Sequence, residues 1–341
     1  MAAGTMANPF PGRNAMLGKI QSILSLVRFP NLLIIAFTQY AMRYLLMEPL
    51  LPSDTFELQF GDFQFALLVF STMLIAAAGY IINDYFDTRA DLINKPARVV
   101  VGVAISRKVA MILHMILNIA GVGIGVYLAF YVGLPSLSLV FVLSTGLLWF
   151  YSTNYKKQFL VGNLTVAFLT GLVPLMVVLF EIPLLNREYG EVMIRYDADF
   201  NYLLAWVSAF SFFAFITTLI REIIKDAEDF EGDNVYGMKT VPIVLGDFWT
   251  RFVLVVLIAA TLFALVFLLF KYIFFSVDPV DYISLVYFSL LLLLPLLFLI
   301  IQVITARSKK AFHRASTLIK LVMLFGILYA VVVFYLVGFK Y

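Results

Sequence analysis

The chain contains no cysteine and only two histidines in 341 residues. Disulfides, thiolate nucleophiles and thiolate metal sites are therefore excluded. No zinc spacing exists, because His114 and His313 lie far apart. His114 falls in an apolar run and reads as a helix-packing residue. His313 reads as part of a basic loop. Charge is scarce too: Asp, Glu, Lys and Arg make up 13% of the chain, against the ~25% of a soluble domain. The opening MAAGTMANPFPGRNAML has no apolar core and reads as a polar tail, not a secretory signal. The net charge of +3 is small, and no nucleic-acid partner is expected.

What the chain has in abundance is apolar surface. Hydrophobic residues make up 63%, with a mean hydropathy of +0.98. The length allows about eight to ten spans of about twenty residues. Nine are expected, over 29–47, 64–83, 109–131, 134–152, 160–181, 202–221, 251–271, 281–303 and 317–337. The expected fold is all-α, a polytopic membrane protein with nine transmembrane helices. Residues 1–28 read as a tail followed by an amphipathic surface helix over Asn14–Leu26. Residues 29–341 read as one nine-span domain.

Nineteen of the 24 Lys and Arg residues fall on one side of these spans. The positive-inside rule makes that side cytoplasmic. In the inner (cell) membrane this puts the N-terminus in the cytoplasm and the C-terminus outside.

Two polar stretches interrupt the pattern on the basic side. The first, IINDYFDTRADLINKPAR, carries Asn83, Asp84, Asp87, Asp91, Lys95 and Arg98 directly after an apolar run. Asn83, Asp87 and Asp91 are spaced i, i+4, i+8, which puts three oxygen-bearing side chains on one helix face. The second, REIIKDAEDFEGDNVYGMKTVP, carries Asp226, Asp229, Asp233 and Lys239 after another apolar run. A shift of 142 residues lays Asp87 on Asp229 and Asp91 on Asp233, and a shift of 144 lays Lys95 on Lys239. The repeat at 83–98 and 221–240 reads as an internal duplication with one shared site.

Carboxylates so close together repel unless a cation lies between them. Hard oxygen ligands without nitrogen or sulfur select Mg²⁺ or Mn²⁺. Magnesium keeps waters and bridges to phosphate oxygens. Two facing clusters thus imply a magnesium-held diphosphate. Lys95, Arg98, Lys225 and Lys239 lie near the clusters. Tyr151, Ser152, Lys156 and Lys157 end the fourth span, and cations of this kind suit phosphate oxygens. A diphosphate site at a bilayer edge suits a long isoprenoid, its tail between the helices. Among the 34 Phe, 18 Tyr and 3 Trp, most serve packing and the interface belt. A few could line a cavity and stabilise an allylic cation.

These residues resemble the UbiA superfamily of intramembrane prenyltransferases. Its N-D-x-x-D-x-x-x-D motif is matched by Asn83, Asp84, Asp87 and Asp91. Its D-x-x-x-D motif is matched by Asp229 and Asp233, followed by Gly237 and Lys239-Thr240. Its tyrosine-and-lysine segment resembles Tyr151 to Lys157. The resemblance implies a helical bundle with a central cavity, two Mg²⁺ ions and a prenyl diphosphate donor. The segments starting at Arg28, Leu160 and Arg221 are similar to the archaeal-type geranylgeranylglyceryl phosphate geranylgeranyltransferases. The loop after Pro96 departs from that pattern, reading Ala97-Arg98-Val-Val-Val-Gly102.

The resemblance assigns Asn83, Asp87, Asp91, Asp229 and Asp233 as metal ligands, with Asp84 and Asp226 in support. Tyr151, Ser152, Lys95, Arg98, Lys156, Lys157 and Lys239 are expected around the phosphates. Arg28 and Asn31 are expected to face the acceptor, a lipid precursor such as geranylgeranylglyceryl phosphate. Two other readings stand beside this one. In the first the acceptor is an aromatic ring, as in quinone or haem side-chain prenylation. In the second the chain is a transporter of divalent cations or isoprenoid phosphates, whose acidic residues belong near mid-membrane.

Overall fold

A computed structural model describes residues 20–52, 55–94, 99–195, 199–274 and 281–338. Side chains of 89–91, 93–94, 272–274 and 338 fall outside the description. Residues 14–19 of the expected surface helix, together with Lys95, Arg98 and the side chain of Asp91, therefore lie outside the described residues.

The protein is an integral membrane protein built from helices. A short helix α1 (Ile20–Leu26) bends by 57° into α2 (Phe29–Leu50). Arg28 makes the bend with φ 50, a left-handed conformation that costs a non-glycine residue about 1–3 kcal/mol. Then follow α3 (Asp62–Asn94), α4 (Arg107–Val132), α5 (Ser138–Thr153), α6 (Val161–Arg195) and α7 (Asn201–Glu228). A one-turn helix α8 (Phe230–Val235) leads to α9 (Val241–Leu268), α10 (Tyr282–Thr305) and α11 (Lys309–Gly338). Among the described residues, eight helices are long and apolar enough to span a bilayer, and the bent α1–α2 pair makes a ninth.

Small residues set the closest packing, as expected where lipid supplies no hydrophobic drive between helices. The Ser71 hydroxyl on α3 donates to Gly121 O of α4 at 2.7 Å. Gly125 of α4 lies under the Phe141 ring of α5, where a Cβ would stand 2.3 Å from the ring. Gly171 lets α6 approach Ser211 O of α7. Gln39, fully buried, donates to Thr72 Oγ1 and Val173 O, each at 3.2 Å, and so ties α2, α3 and α6 together.

Five helices run past the ends that hydropathy sets. α3 continues to Asn94, α6 to Arg195 and α7 to Glu228, while α9 starts at Val241 and α11 at Lys309. Glu181, the last residue of the expected span 160–181, is well inside α6, fully buried, and paired with Arg43 of α2 at 2.8 Å. His313 also corrects the loop reading: it sits in the second turn of α11, with Nδ1 3.0 Å from Glu228 Oε1. His114 is buried with Nδ1 2.9 Å from Ala78 O, in keeping with a packing role.

Candidate functional site at the ends of α3 and α7

The C-terminal end of α3 carries the first motif, and α8 packs against this helix. That contact brings Asp229 and Asp233, which flank and occupy α8, to the helix bearing Asn83, Asp84 and Asp87. Both Asp229 and Asp233 are buried. The backbone closes this segment tightly: Asp233 N donates to Asp229 O at 3.1 Å, and Met238 N to Asp233 O at 3.0 Å.

Further contacts draw the two motifs together. Lys156, in the Tyr155–Lys157 turn after α5, forms an ion pair with Asp87. Lys239 N donates to Lys157 O at 2.9 Å, which puts the exposed Lys157 and Lys239 on a shared rim. Tyr151 lies among Asp87 of the first motif and Glu222, Lys225 and Asp226 of α7. Asp226 accepts from Asn163 Nδ2 of α6 at 2.8 Å and lies near Asp233. Ser152 turns inward: its hydroxyl donates to Leu148 O at 2.9 Å and the residue is buried.

Arg28 closes another edge. Its guanidinium donates to Asp84 Oδ1 at 2.7 Å and stands 5.0 Å from the centroid of the Tyr80 ring. Asn31 Nδ2 reaches Tyr80 Oη at 3.5 Å. Asn31 and Tyr80 then open onto a cavity of about 390 Å³, walled by Phe141, Phe213 and Ile75, with Arg221 on its lining. That volume is in the range of small-molecule sites.

Among the described residues, no three His, Asp or Glu side chains stand together as a ready metal cage. The donor set still fits magnesium. Asn83 Oδ1 is buried with no hydrogen-bond partner, and a buried oxygen left so calls for a ligand. The neighbouring groups are carboxylates, and Mg²⁺ takes one or two of these together with water and phosphate oxygens.

Sequence reasoning missed Glu222 and Asn163 as site residues. Glu222 accepts from Arg221 Nη1 at 2.5 Å and lies 3.6 Å from Lys225 Nζ. Its position four residues before Asp226 was the available signal, since both fall on one helix face.

Gly162 holds the Lys156 turn in place. A Cβ there would stand 2.8 Å from Lys156 Cα and 3.0 Å from Tyr155 O. The nearest atoms are backbone, so the turn itself must shift. Gly162→Ala should lower stability by about 1–3 kcal/mol, read as thermal unfolding in detergent. Gly123→Ala, where a Cβ meets nothing within 4 Å, should leave stability unchanged or raise it.

Comparison with known proteins gives the same picture. Residues 54–328 match the UbiA prenyltransferase family, a span that includes both motifs. The digeranylgeranylglyceryl phosphate synthase of Methanothermobacter thermautotrophicus is 37% identical over 188 residues, 54% of this chain and 58% of that one. The enzyme of the same name from Saccharolobus solfataricus is 31% identical over 260 residues, 75% of this chain and 79% of that one. The chain thus spans less than two thirds of the first relative and more than two thirds of the second. Among solved structures, a digeranylgeranylglyceryl phosphate synthase in membranes superposes with TM-score 0.59 at 22% identity, over 92% of this chain and 99% of that one. A UbiA homologue from Archaeoglobus fulgidus bound to GPP and Mg²⁺ gives TM-score 0.53 at 14% identity, over 91% and 99%. These structural likenesses establish the shared fold.

Proposed function

The chain belongs to the UbiA prenyltransferase family, and from that premise we propose that it transfers a geranylgeranyl group from its diphosphate to a lipid-precursor acceptor such as geranylgeranylglyceryl phosphate. The reaction would depend on Mg²⁺ and take place at the cytoplasmic face. The observation that carries the reading is the packing of α8, with Asp233, against the helix that bears Asn83 and Asp87, beside an apolar cavity. Relatives named digeranylgeranylglyceryl phosphate synthase support the choice of acceptor. The excess of Lys and Arg on that side supports the cytoplasmic placement. The paired motifs at 83–98 and 221–240 support a pseudo-repeat within one nine-span domain.

In this reading Asn83, Asp87, Asp91, Asp229 and Asp233 hold the metal. Mg²⁺ supplies charge neutralisation to the departing diphosphate. Asp84 and Asp226 act as supports, Asp84 by holding Arg28 and Asp226 by accepting from Asn163. Lys156, Lys157 and Lys239 present positive charge to the phosphate oxygens. Lys95 and Arg98, by sequence, would add to them. The cavity wall keeps water from the allylic carbon, and its aromatic faces attract positive charge there. Arg28 and Asn31 lie between the acidic end and the cavity, where an acceptor must reach the reacting carbon.

The test is product formation by purified protein in lipid nanodiscs, supplied with labelled geranylgeranyl diphosphate and a panel of acceptors. Magnesium-dependent labelling of geranylgeranylglyceryl phosphate is expected. Labelling of a hydroxybenzoate or naphthoate alone would overturn the acceptor. Ion or lipid uptake without turnover would overturn the enzyme.

A further inference from the structure

The cavity has a polar corner where the second motif segment begins, about two turns before Asp229. Thr218 and Arg221, three residues apart on α7, fall on one helix face and both line the cavity. Thr218 is buried, and its Oγ1 has no hydrogen-bond partner. Arg221 gives Nη1 to Glu222, but its Nε is buried and also without a partner. Two such atoms on one face of an apolar pocket call for a ligand that carries acceptors.

Lys320 of α11 lines the same cavity. Its depth follows from the pairing of the helices. α7 and α11 pack against each other, and Glu228 meets His313 at 3.0 Å where α7 ends and α11 begins. Seven residues back from Glu228 is Arg221, and seven on from His313 is Lys320. Seven residues make about two turns and about 10.5 Å on either helix. The two cations therefore return to the facing sides at one level. The neighbouring wall is apolar, with Phe213, Ala214, Met323 and Leu324.

Resting on the prenyltransferase reading, we propose that Thr218, Arg221 and Lys320 form an anion subsite for the phosphate monoester of the acceptor. The subsite works without metal and is separate from the carboxylates that serve the donor. Lysine and arginine supply charge-assisted hydrogen bonds to the phosphate oxygens, and Thr218 adds a hydroxyl. The surrounding apolar wall receives the start of the isoprenoid chain. A dianion at this level leaves the carboxylate end to the diphosphate, so the two anions do not compete.

The test measures binding by calorimetry, in nanodiscs with EDTA present, of geranylgeranylglyceryl phosphate and of the phosphate-free geranylgeranylglycerol. Wild-type protein should bind the phosphate at least about tenfold more tightly. Lys320→Gln should remove most of that preference, leaving the alcohol unchanged, and Lys320→Arg should keep it. Unchanged alcohol binding also reports that the Gln variant is folded. With Mg²⁺ present, affinity for geranylgeranyl diphosphate should be the same in all three. Equal wild-type affinity for phosphate and alcohol would overturn the subsite, as would a Lys320→Gln effect on the diphosphate instead. Metal-free binding without transfer to any acceptor would reject the catalytic reading and leave the subsite standing. Transfer with an unchanged acceptor KM in Lys320→Gln would reject the subsite alone.

Discussion

Asp87→Asn and Asp229→Asn should each lower kcat/KM for magnesium-dependent transfer by about three orders of magnitude or more. Asparagine keeps the shape of the side chain and one oxygen, and removes the charge. The ligand in question is a magnesium-held diphosphate, whose capture depends on anionic oxygens from both motifs. Either substitution leaves a half-site. The two variants differ in their side effects. At position 87 the lost charge weakens the ion pair with Lys156, whose side chain is only part-exposed. Some destabilisation should therefore accompany Asp87→Asn, and Lys156→Met should relieve it without restoring turnover. Asp229 sits at the junction of α7 and α8, and its backbone bonds survive the change. Raising Mg²⁺ tenfold should recover little in either case. Turnover near the wild-type level in Asp229→Asn would mean that the second motif is structural, and would end the two-cluster account.

How far the sequence foretold this architecture depends on what the bilayer reads. An apolar run of about twenty residues is a statement about bilayer thickness, so the spans were legible. Their ends were not. α6 carries on through Glu181, Arg187, Glu188 and Glu191 to Arg195, and α11 includes Lys309, Lys310 and His313. Charged residues there look like loop to a hydropathy count, yet the backbone stays helical because a helix satisfies its own hydrogen bonds at any depth. The motif residues were legible because acidic side chains at helical spacing are rare next to apolar runs. Their partners were not: Lys156 lies 69 residues from Asp87, and Asn163 lies 63 from Asp226. Such pairs are set by how helices pack, which no local pattern encodes. Arg28 was legible as a cation but not as a bend, since its positive φ accompanies contacts with Asp84 and Tyr80 more than 50 residues along the chain.

The far end of the bundle gives the largest expected effect on stability. Arg43 lies 15 residues beyond Arg28 on α2, and Glu181 lies 20 beyond Val161 on α6, so both are about 20–30 Å from the acidic end. The pair is buried, with Arg43 3% and Glu181 0% exposed. Glu181 Oε2 accepts from Arg43 Nη1 at 2.8 Å, while Oε1 accepts from Gln59 N at 2.5 Å and Phe60 N at 3.0 Å. Arg43 in turn donates to Phe60 O. One carboxylate thus fastens the chain before α3 to α2 and α6. Glu181→Ala leaves the buried guanidinium with Phe60 O and the longer Asp62 pairing at 3.4 Å, and orphans two backbone N–H groups. Loss of one partner of a buried ion pair costs about 3–5 kcal/mol, and an unsatisfied buried donor about 1–3 kcal/mol. These do not simply add, but a drop of at least about 3 kcal/mol is expected, seen as a lower unfolding midpoint in detergent. Glu181→Gln keeps an acceptor for both N–H groups and should lose less. Arg43→Met combined with Glu181→Gln removes the buried charge and should recover much of the loss. Because the pair is remote from the acidic end, the protein that remains folded should turn over at nearly the wild-type rate. An unchanged midpoint in Glu181→Ala would show that water reaches Arg43 in the membrane and that this end is open.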